Sequence, residues 1–201
     1  MLQVIDIDQP VSLREKSMLL EKDKSCLLII DVQEKLAPHI QQVDSVVSHC
    51  QWLMRLASEL DIPSLVTEQY RQGLGQTVEP LRKLMPGKTD IDKLYFSCYR
   101  DPSFQKHWQS MNKRQAVLAG IETHVCVLQT ALDLLVAGVE VFVVVDAVGS
   151  RHDLDHHYGL KRMKQAGVQL VTRDMVFFEW IEQAGKPAFK ALSKVFITSS
   201  T

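Results

Sequence analysis

The sequence predicts an α/β fold: a three-layer, doubly wound sandwich with a mostly parallel sheet of about five or six strands and helices on both faces. Three observations predict it. Apolar runs of strand length alternate with helix-period segments along the chain. Those runs are almost free of polar residues, as strands buried on both faces are. No repeat, low-complexity tract or linker interrupts the alternation, so residues 1–201 read as one domain with residues 1–24 as an N-terminal arm.

The first strand is "CLLIIDV" (26–32), an apolar run ending in a carboxylate. "DSVVSHCQWLMRLASEL" then places Val46, Cys50, Leu53, Ala57 and Leu60 on one helical face. "IPSLVTE" (62–68) is strand-like, with Pro63 tolerated in its first residues. A short amphipathic piece, Val78, Leu81 and Leu84, leads through "PGKTD" to the extended stretch "DKLYFS" (92–97). "DPSFQKHWQSM" is a helix with Pro102 in its first turn, and "QAVLAGI" (115–121) is the next strand. A helix from Thr123 to Ala137 turns Val125, Leu128, Leu132 and Leu135 inward and ends at Gly138. "VEVFVVVDAV" (139–148) is the most apolar strand. A polar loop, "GSRHDLDHH", enters a helix near 154–166, "VQLVT" (168–172) closes the sheet, and "FFEWIEQAG" and "PAFKALSKVF" form two short helices.

Composition excludes several classes. Hydrophobic residues are 46% and charged residues 23%, which supports a packed core rather than a disordered chain. A net charge of -1 with scattered Lys and Arg leaves no electrostatic footprint for nucleic acid or an acidic membrane. There is no apolar run of membrane-spanning length and no signal-peptide pattern, so a cytoplasmic protein is expected. Cys26, Cys50, Cys98 and Cys126 are widely spaced and read as free thiols rather than as a disulfide frame or zinc site. "GLGQTV" (73–78) lacks the third glycine of a dinucleotide fingerprint, and "GKT" (87–89) has Arg82 where a phosphate loop needs glycine. Both read as turns.

Ligands of open α/β sheets bind at the carboxyl ends of strands. Three reactive side chains fall there: Asp31, Lys93 and Cys126. Singly, each has a bland reading as a turn cap, a solvated amine or a packing thiol. Together they make an acyl-transfer set. A carboxylate can take a thiol proton, and a lysine beside it holds the carboxylate charged. The lysine and the first turn of a helix are expected to favour the thiolate, and the "GIETH" turn offers N–H groups to an oxyanion.

With "LLIIDVQEKL", "TEQYRQGLG", "DKLYFS", "GIETHVCV" and "VVVDAVGSR" in this order, the chain resembles the isochorismatase-like hydrolase superfamily from about Cys26 to Phe189. It is most similar to the isochorismatase domain-containing branch. The resemblance implies a catalytic triad of Asp31, Lys93 and Cys126. It also implies a non-proline cis peptide between Ile121 and Glu122, with the N–H groups of Glu122 and Cys126 as the oxyanion hole. Gln33, Tyr70, Phe96, Thr123 and His124 fall beside these positions as pocket candidates. The metal-binding nicotinamidase pattern is not matched: residues 67–70 read Thr-Glu-Gln-Tyr, and no histidine lies between His49 and His107. The histidine-rich stretch 151–157 has no matching ligand pair and reads as solvated surface. No metal and no cofactor are expected.

True isochorismatases of the superfamily cleave a vinyl ether and do not require the cysteine. Cys126 therefore points to hydrolysis of an amide-like C–N bond of a small molecule through a thioester. Vinyl ether cleavage with Asp31 as acid, and a non-catalytic binding or redox-sensing member of the fold, are the alternatives. A homo-oligomer is expected, with no nucleic-acid or membrane partner.

Overall fold

The computed structural model describes residues 19–85 and 90–197. Residues 1–18 of the expected arm and 86–89 of the "PGKTD" turn, with the "GKT" stretch, lie outside the described residues. The strands are β1 (Ser25–Ile30), β2 (Ser64–Gln69), β3 (Asp90–Lys93), β4 (Gln115–Ile121), β5 (Glu140–Gly149) and β6 (Gln169–Val171). The helices are α1 (Val43–Glu59), α2 (Arg71–Leu74), α3 (Glu79–Arg82), α4 (Pro102–Met111), α5 (Leu128–Val136), α6 (Asp153–Ala166), α7 (Arg173–Ile181) and α8 (Pro187–Phe196).

All six strands pair in parallel in the order β3-β2-β1-β4-β5-β6. The chain thus starts mid-sheet, runs out to β3, and returns to lay β4 on the free side of β1. The reversal opens a crevice at the carboxyl ends of β1 and β4, the place where such sheets bind ligands. Side chains of the central strands alternate between two cores. Leu27 and Ile29 join α1, α7 and α8, while Cys26, Leu28 and Ile30 join α4, α5 and α6. Both faces of the sheet are therefore covered, as strands without polar alternation require. No helix among the described residues is long and apolar enough to cross a membrane.

Local signals account for several boundaries. Asp101 accepts hydrogen bonds from Ser103 N and Phe104 N, and Pro102 takes the first-turn position of α4, where its missing N–H costs nothing. Gly120 is demanded by the crossover itself. Its φ is 113°, and a Cβ there would lie 2.2 Å from Ile30 O, so β4 can press against β1 only without a side chain.

Two expected elements differ. The "DKLYFS" stretch is strand only through Lys93, and residues 94–97 bend away. The cause is the buried Lys93 ammonium, which draws in Tyr95 O and Phe96 O, each at 3.2 Å. The helix expected from Thr123 begins instead as a wide π turn, Thr123–Val127, before α5 starts at Leu128. Glu122 O accepts from both Val125 N and Val127 N, at 3.0 and 3.2 Å. The wider turn rotates the helix behind it, so the buried stripe is Cys126, Val127, Thr130, Ala131 and Leu134 with Leu128, while Val125, Leu132 and Leu135 are only half-buried.

Candidate active site

Asp31 follows the last residue of β1 with φ at 52°, and its N–H donates to Thr67 O across the sheet at 3.1 Å. Carboxylate residues tolerate this left-handed geometry better than most, and it tips the side chain out of the strand's alternation. The residue is wholly buried. One carboxylate oxygen, Oδ1, accepts from Thr67 Oγ1 at 2.7 Å, and Oδ2 pairs with Lys93 Nζ at 2.6 Å. The lysine arrives from β3, on the far side of β2 from Asp31.

An ammonium has three protons to donate. Lys93 Nζ has four acceptors: Asp31 Oδ2, Gln69 Oε1 at 2.8 Å, and the carbonyls of Tyr95 and Phe96. Every donor is thereby engaged. Burial alone would push the Lys93 pKa down, but the Asp31 charge and the Asp31 hydrogen bond hold it above the ordinary lysine value. The loop turns its apolar side chains outward as a consequence. With its carbonyls turned inward, Leu94, Tyr95 and Phe96 stand 72%, 55% and 54% exposed beside Tyr70 at 49%.

Cys126 occupies the π turn and is 6% exposed. Its thiol lies near enough to the Asp31 carboxyl to feel its charge. Burial, followed by the charge of Asp31, raises its pKa well above the ordinary thiol value, and Lys93 opposes this only in part. The expectation that lysine and helix terminus favour a resting thiolate is therefore corrected. Asp31 and Lys93 already neutralise one another, so a thiolate would bury an unbalanced negative charge. Cys126 rests as a thiol beside a carboxylate.

The remaining site candidates separate. The Ile121–Glu122 peptide is cis. Glu122 directs its carboxylate to Arg151, accepting from the backbone N and from Nε, both at 3.0 Å. Gln33 is buried and its amide is spent on backbone: Oε1 accepts from Gln69 N, and Nε2 donates to Gln69 O and Gly75 O. Thr123 Oγ1 meets His156 Nδ1 at 2.9 Å, and His124 Nδ1 meets Ser150 Oγ at 3.0 Å. Those two bonds tie the Cys126 turn to α6 and to the end of β5. Gly159 on α6 completes the seat, since a Cβ there would lie 3.1 Å from His124 Cα. Tyr70 and Phe96 alone of this group present exposed rings.

Sequence reasoning misses Thr67, Gln69 and Cys98 as site residues. The folded sheet alone reveals the pairing that matters: Thr67 is the register partner of Ile30, so its hydroxyl lies level with the approach to Asp31. A cavity of about 250 Å³ lies between α1, β5 and α6, lined by residues such as His49, Asp146 and His156 and not by Asp31, Lys93 or Cys126. Among the described residues, no group of three or more His, Cys, Asp or Glu side chains is placed to hold a metal ion.

Comparison with known proteins shows the family of the chain. The isochorismatase domain model matches residues 25–175. Mouse isochorismatase domain-containing protein 2A is 40% identical over 174 residues, covering 86% of this chain and 82% of the relative. The structure of the MAR1 ribonuclease from Caenorhabditis elegans is 38% identical with a TM-score of 0.84, covering 91% and 94% of the two chains. The Escherichia coli YcaC product, described as an octameric hydrolase of unknown specificity, is 27% identical with a TM-score of 0.84 over 92% and 93%. With the domain model spanning both strands of the crevice and relatives aligned along most of their length, this chain belongs to the isochorismatase family of hydrolases.

Proposed function

We propose that the chain hydrolyses an amide-like C–N bond of a small molecule through a thioester on Cys126. The observation that supports this most is the buried Asp31 carboxylate, its two oxygens anchored by Thr67 and Lys93, with the Cys126 thiol within reach of its charge. A base so fixed cannot swing away from the sulfur.

The reaction runs as two displacements. Sulfur attacks the carbonyl carbon as its proton passes to Asp31, and the carbonyl electrons move onto oxygen. The N–H groups of Glu122 and Cys126, which lie outside the bonds made by Val125 and Val127, hold that oxyanion. Collapse breaks the C–N bond, and Asp31 returns the proton to the departing amine. Water then gives a proton to Asp31 and attacks the thioester, releasing the acid and restoring the thiol. Lys93, with its donors engaged, acts through Asp31 rather than on substrate. Tyr70 and Phe96 form the mouth and favour an apolar substituent, while Gln33, Thr123 and His124 shape the loops around it. No cofactor takes part.

Cleavage of a vinyl ether needs Asp31 to begin as an acid, and the ion pair with Lys93 supplies a carboxylate instead. Several structural relatives carry the name MAR1 ribonuclease. A net charge of -1 without a basic run provides little to attract a phosphate chain, so we retain the small-molecule reading. The four free, buried cysteines suit a reducing compartment, and we place the protein in the cytoplasm. An octameric relative and the exposed loop at 94–96 support assembly into a homo-oligomer. The decisive test is Cys126→Ala against a panel of small amides, vinyl ethers and RNA. Loss of amide turnover supports the thioester; full turnover in the variant would remove the cysteine from the mechanism.

A further inference from the structure

Gln69 closes β2 opposite Lys93, its register partner on β3, and each of its polar atoms is engaged. Gln33 clamps the backbone, accepting from Gln69 N at 2.7 Å and donating to Gln69 O at 3.0 Å. The side-chain Nε2 donates to Leu94 O at 2.8 Å. A carbonyl can only accept, so that bond fixes which end of the amide is nitrogen and leaves Oε1 for Lys93 Nζ, also at 2.8 Å. Of the four acceptors around that ammonium, Asp31 Oδ2 at 2.6 Å is the charged one. The carboxylate one residue earlier is kept away. Glu68 alternates to the opposite face of β2, where Thr77 N, Thr77 Oγ1 and Arg71 hold it.

We propose that Gln69 is a positioning residue: its neutral amide gives Lys93 an acceptor without a charge, and so reserves the ammonium for Asp31. The inference rests on the reading of Asp31 as the base of the reaction. The buried pair is one carboxylate and one ammonium. A second carboxylate at position 69 would share the ammonium, leave part of the Asp31 charge unbalanced in a low-dielectric interior, and loosen the aim of the base. Glutamate differs from Gln69 there in carrying that charge and in having no donor for Leu94 O. A role in packing or in clamping Leu94 is indifferent to the charge at residue 31. A role in assigning charge is not.

The experiment is a double-mutant cycle read by thermal melts of the full chain at neutral pH: wild type, Gln69→Glu, Asp31→Asn and the double variant. Gln69→Glu sets two carboxylates on one ammonium in wild type, and restores one to one in Asp31→Asn. Loss of the Leu94 bond is common to both backgrounds and cancels. The shift in melting temperature caused by Gln69→Glu should therefore be more favourable in Asp31→Asn than in wild type by at least about 5 °C. Shifts that agree within about 2 °C overturn the proposal, as does a double variant that fails to fold. A double variant that folds where Gln69→Glu alone does not supports it. The melts need no substrate, which separates them from the underlying reading. If the cycle shows the coupling and the double variant still turns amides over at the wild-type rate, Asp31 is not the base and that reading falls; if the cycle shows none, only the role of Gln69 falls.

Discussion

Replacing Lys93 with methionine tests the electrostatics of the whole site. The side chain is fully buried and forms a 2.6 Å pair with an Asp31 that is equally buried. Methionine keeps most of the volume and removes the charge, leaving a carboxylate without its counter-ion and Gln69 Oε1, Tyr95 O and Phe96 O without their shared donor. Breaking a buried pair by removing one partner costs about 3–5 kcal/mol. At roughly 2–4 °C per kcal/mol for a chain of this size, the melting temperature should fall by about 6–20 °C. Adding Asp31→Asn removes the stranded charge, so the double variant should recover most of that loss. The pH dependence has a definite sign. The folded-state pKa of Lys93 is raised, so its contribution is fully present below the ordinary lysine value and is lost as pH rises through the higher folded value. Thermal melts of the three proteins at neutral pH decide the matter. A Lys93→Met melt within about 2 °C of wild type, or a double variant less stable than the single one, would refute the claim that Lys93 balances a buried carboxylate.

The geometry carries two further outcomes. Asp31→Asn should uncouple thiol reactivity from turnover: Cys126, now facing an unbalanced Lys93, should alkylate faster at neutral pH and titrate closer to the free-thiol value of about 8.5, while amide hydrolysis is lost for want of a proton donor to the amine. Parallel alkylation and turnover assays check this, with Cys50, whose pKa burial raises to about 12, as the silent control. Gly120→Ala should destabilise by at least about 3 kcal/mol, since overpacking and a left-handed backbone act together; urea unfolding reads it, and the 2.2 Å approach to Ile30 O is the contact that decides the sign.

The centre of the sheet is legible because burial on both faces leaves its mark in the sequence of those strands: "QAVLAGI" coincides with β4, residue for residue. Legibility fails where a single side chain redirects the backbone. Residues 92–97 have an apolar, strand-like composition, yet the Lys93 ammonium captures two carbonyls and curls the chain after the first two of them. Residues 123–137 carry helical periodicity, and a doubly accepting Glu122 O widens the first turn and shifts the buried stripe. Neither event has a propensity signature: the Lys93 ammonium is drawn inward by Asp31, 62 residues away in sequence, and a single wide turn leaves no mark in helical periodicity. Thr123 and His124 show the same limit. Near Cys126 in sequence, they hydrogen-bond to His156 and Ser150, partners 33 and 26 residues away.

In the proposed mechanism a cysteine whose pKa is raised is a suitable nucleophile because of the charge count. At rest the buried set holds one negative carboxylate, one positive ammonium and a neutral thiol. In the proposed tetrahedral intermediate Asp31 carries the proton, Lys93 keeps its charge, and the negative charge sits on the substrate oxygen. The net charge of the site is unchanged across the step, so no isolated ion is created in a low-dielectric interior. A resting thiolate would break that balance before substrate arrived and would be open to oxidation and adventitious alkylation. Proton transfer coupled to attack keeps the balance, provided that the oxyanion has donors waiting. In the proposed mechanism the raised thiol and the backbone N–H groups of the Cys126 turn are thus two halves of one requirement: sulfur gives up its proton only when the charge has somewhere to go.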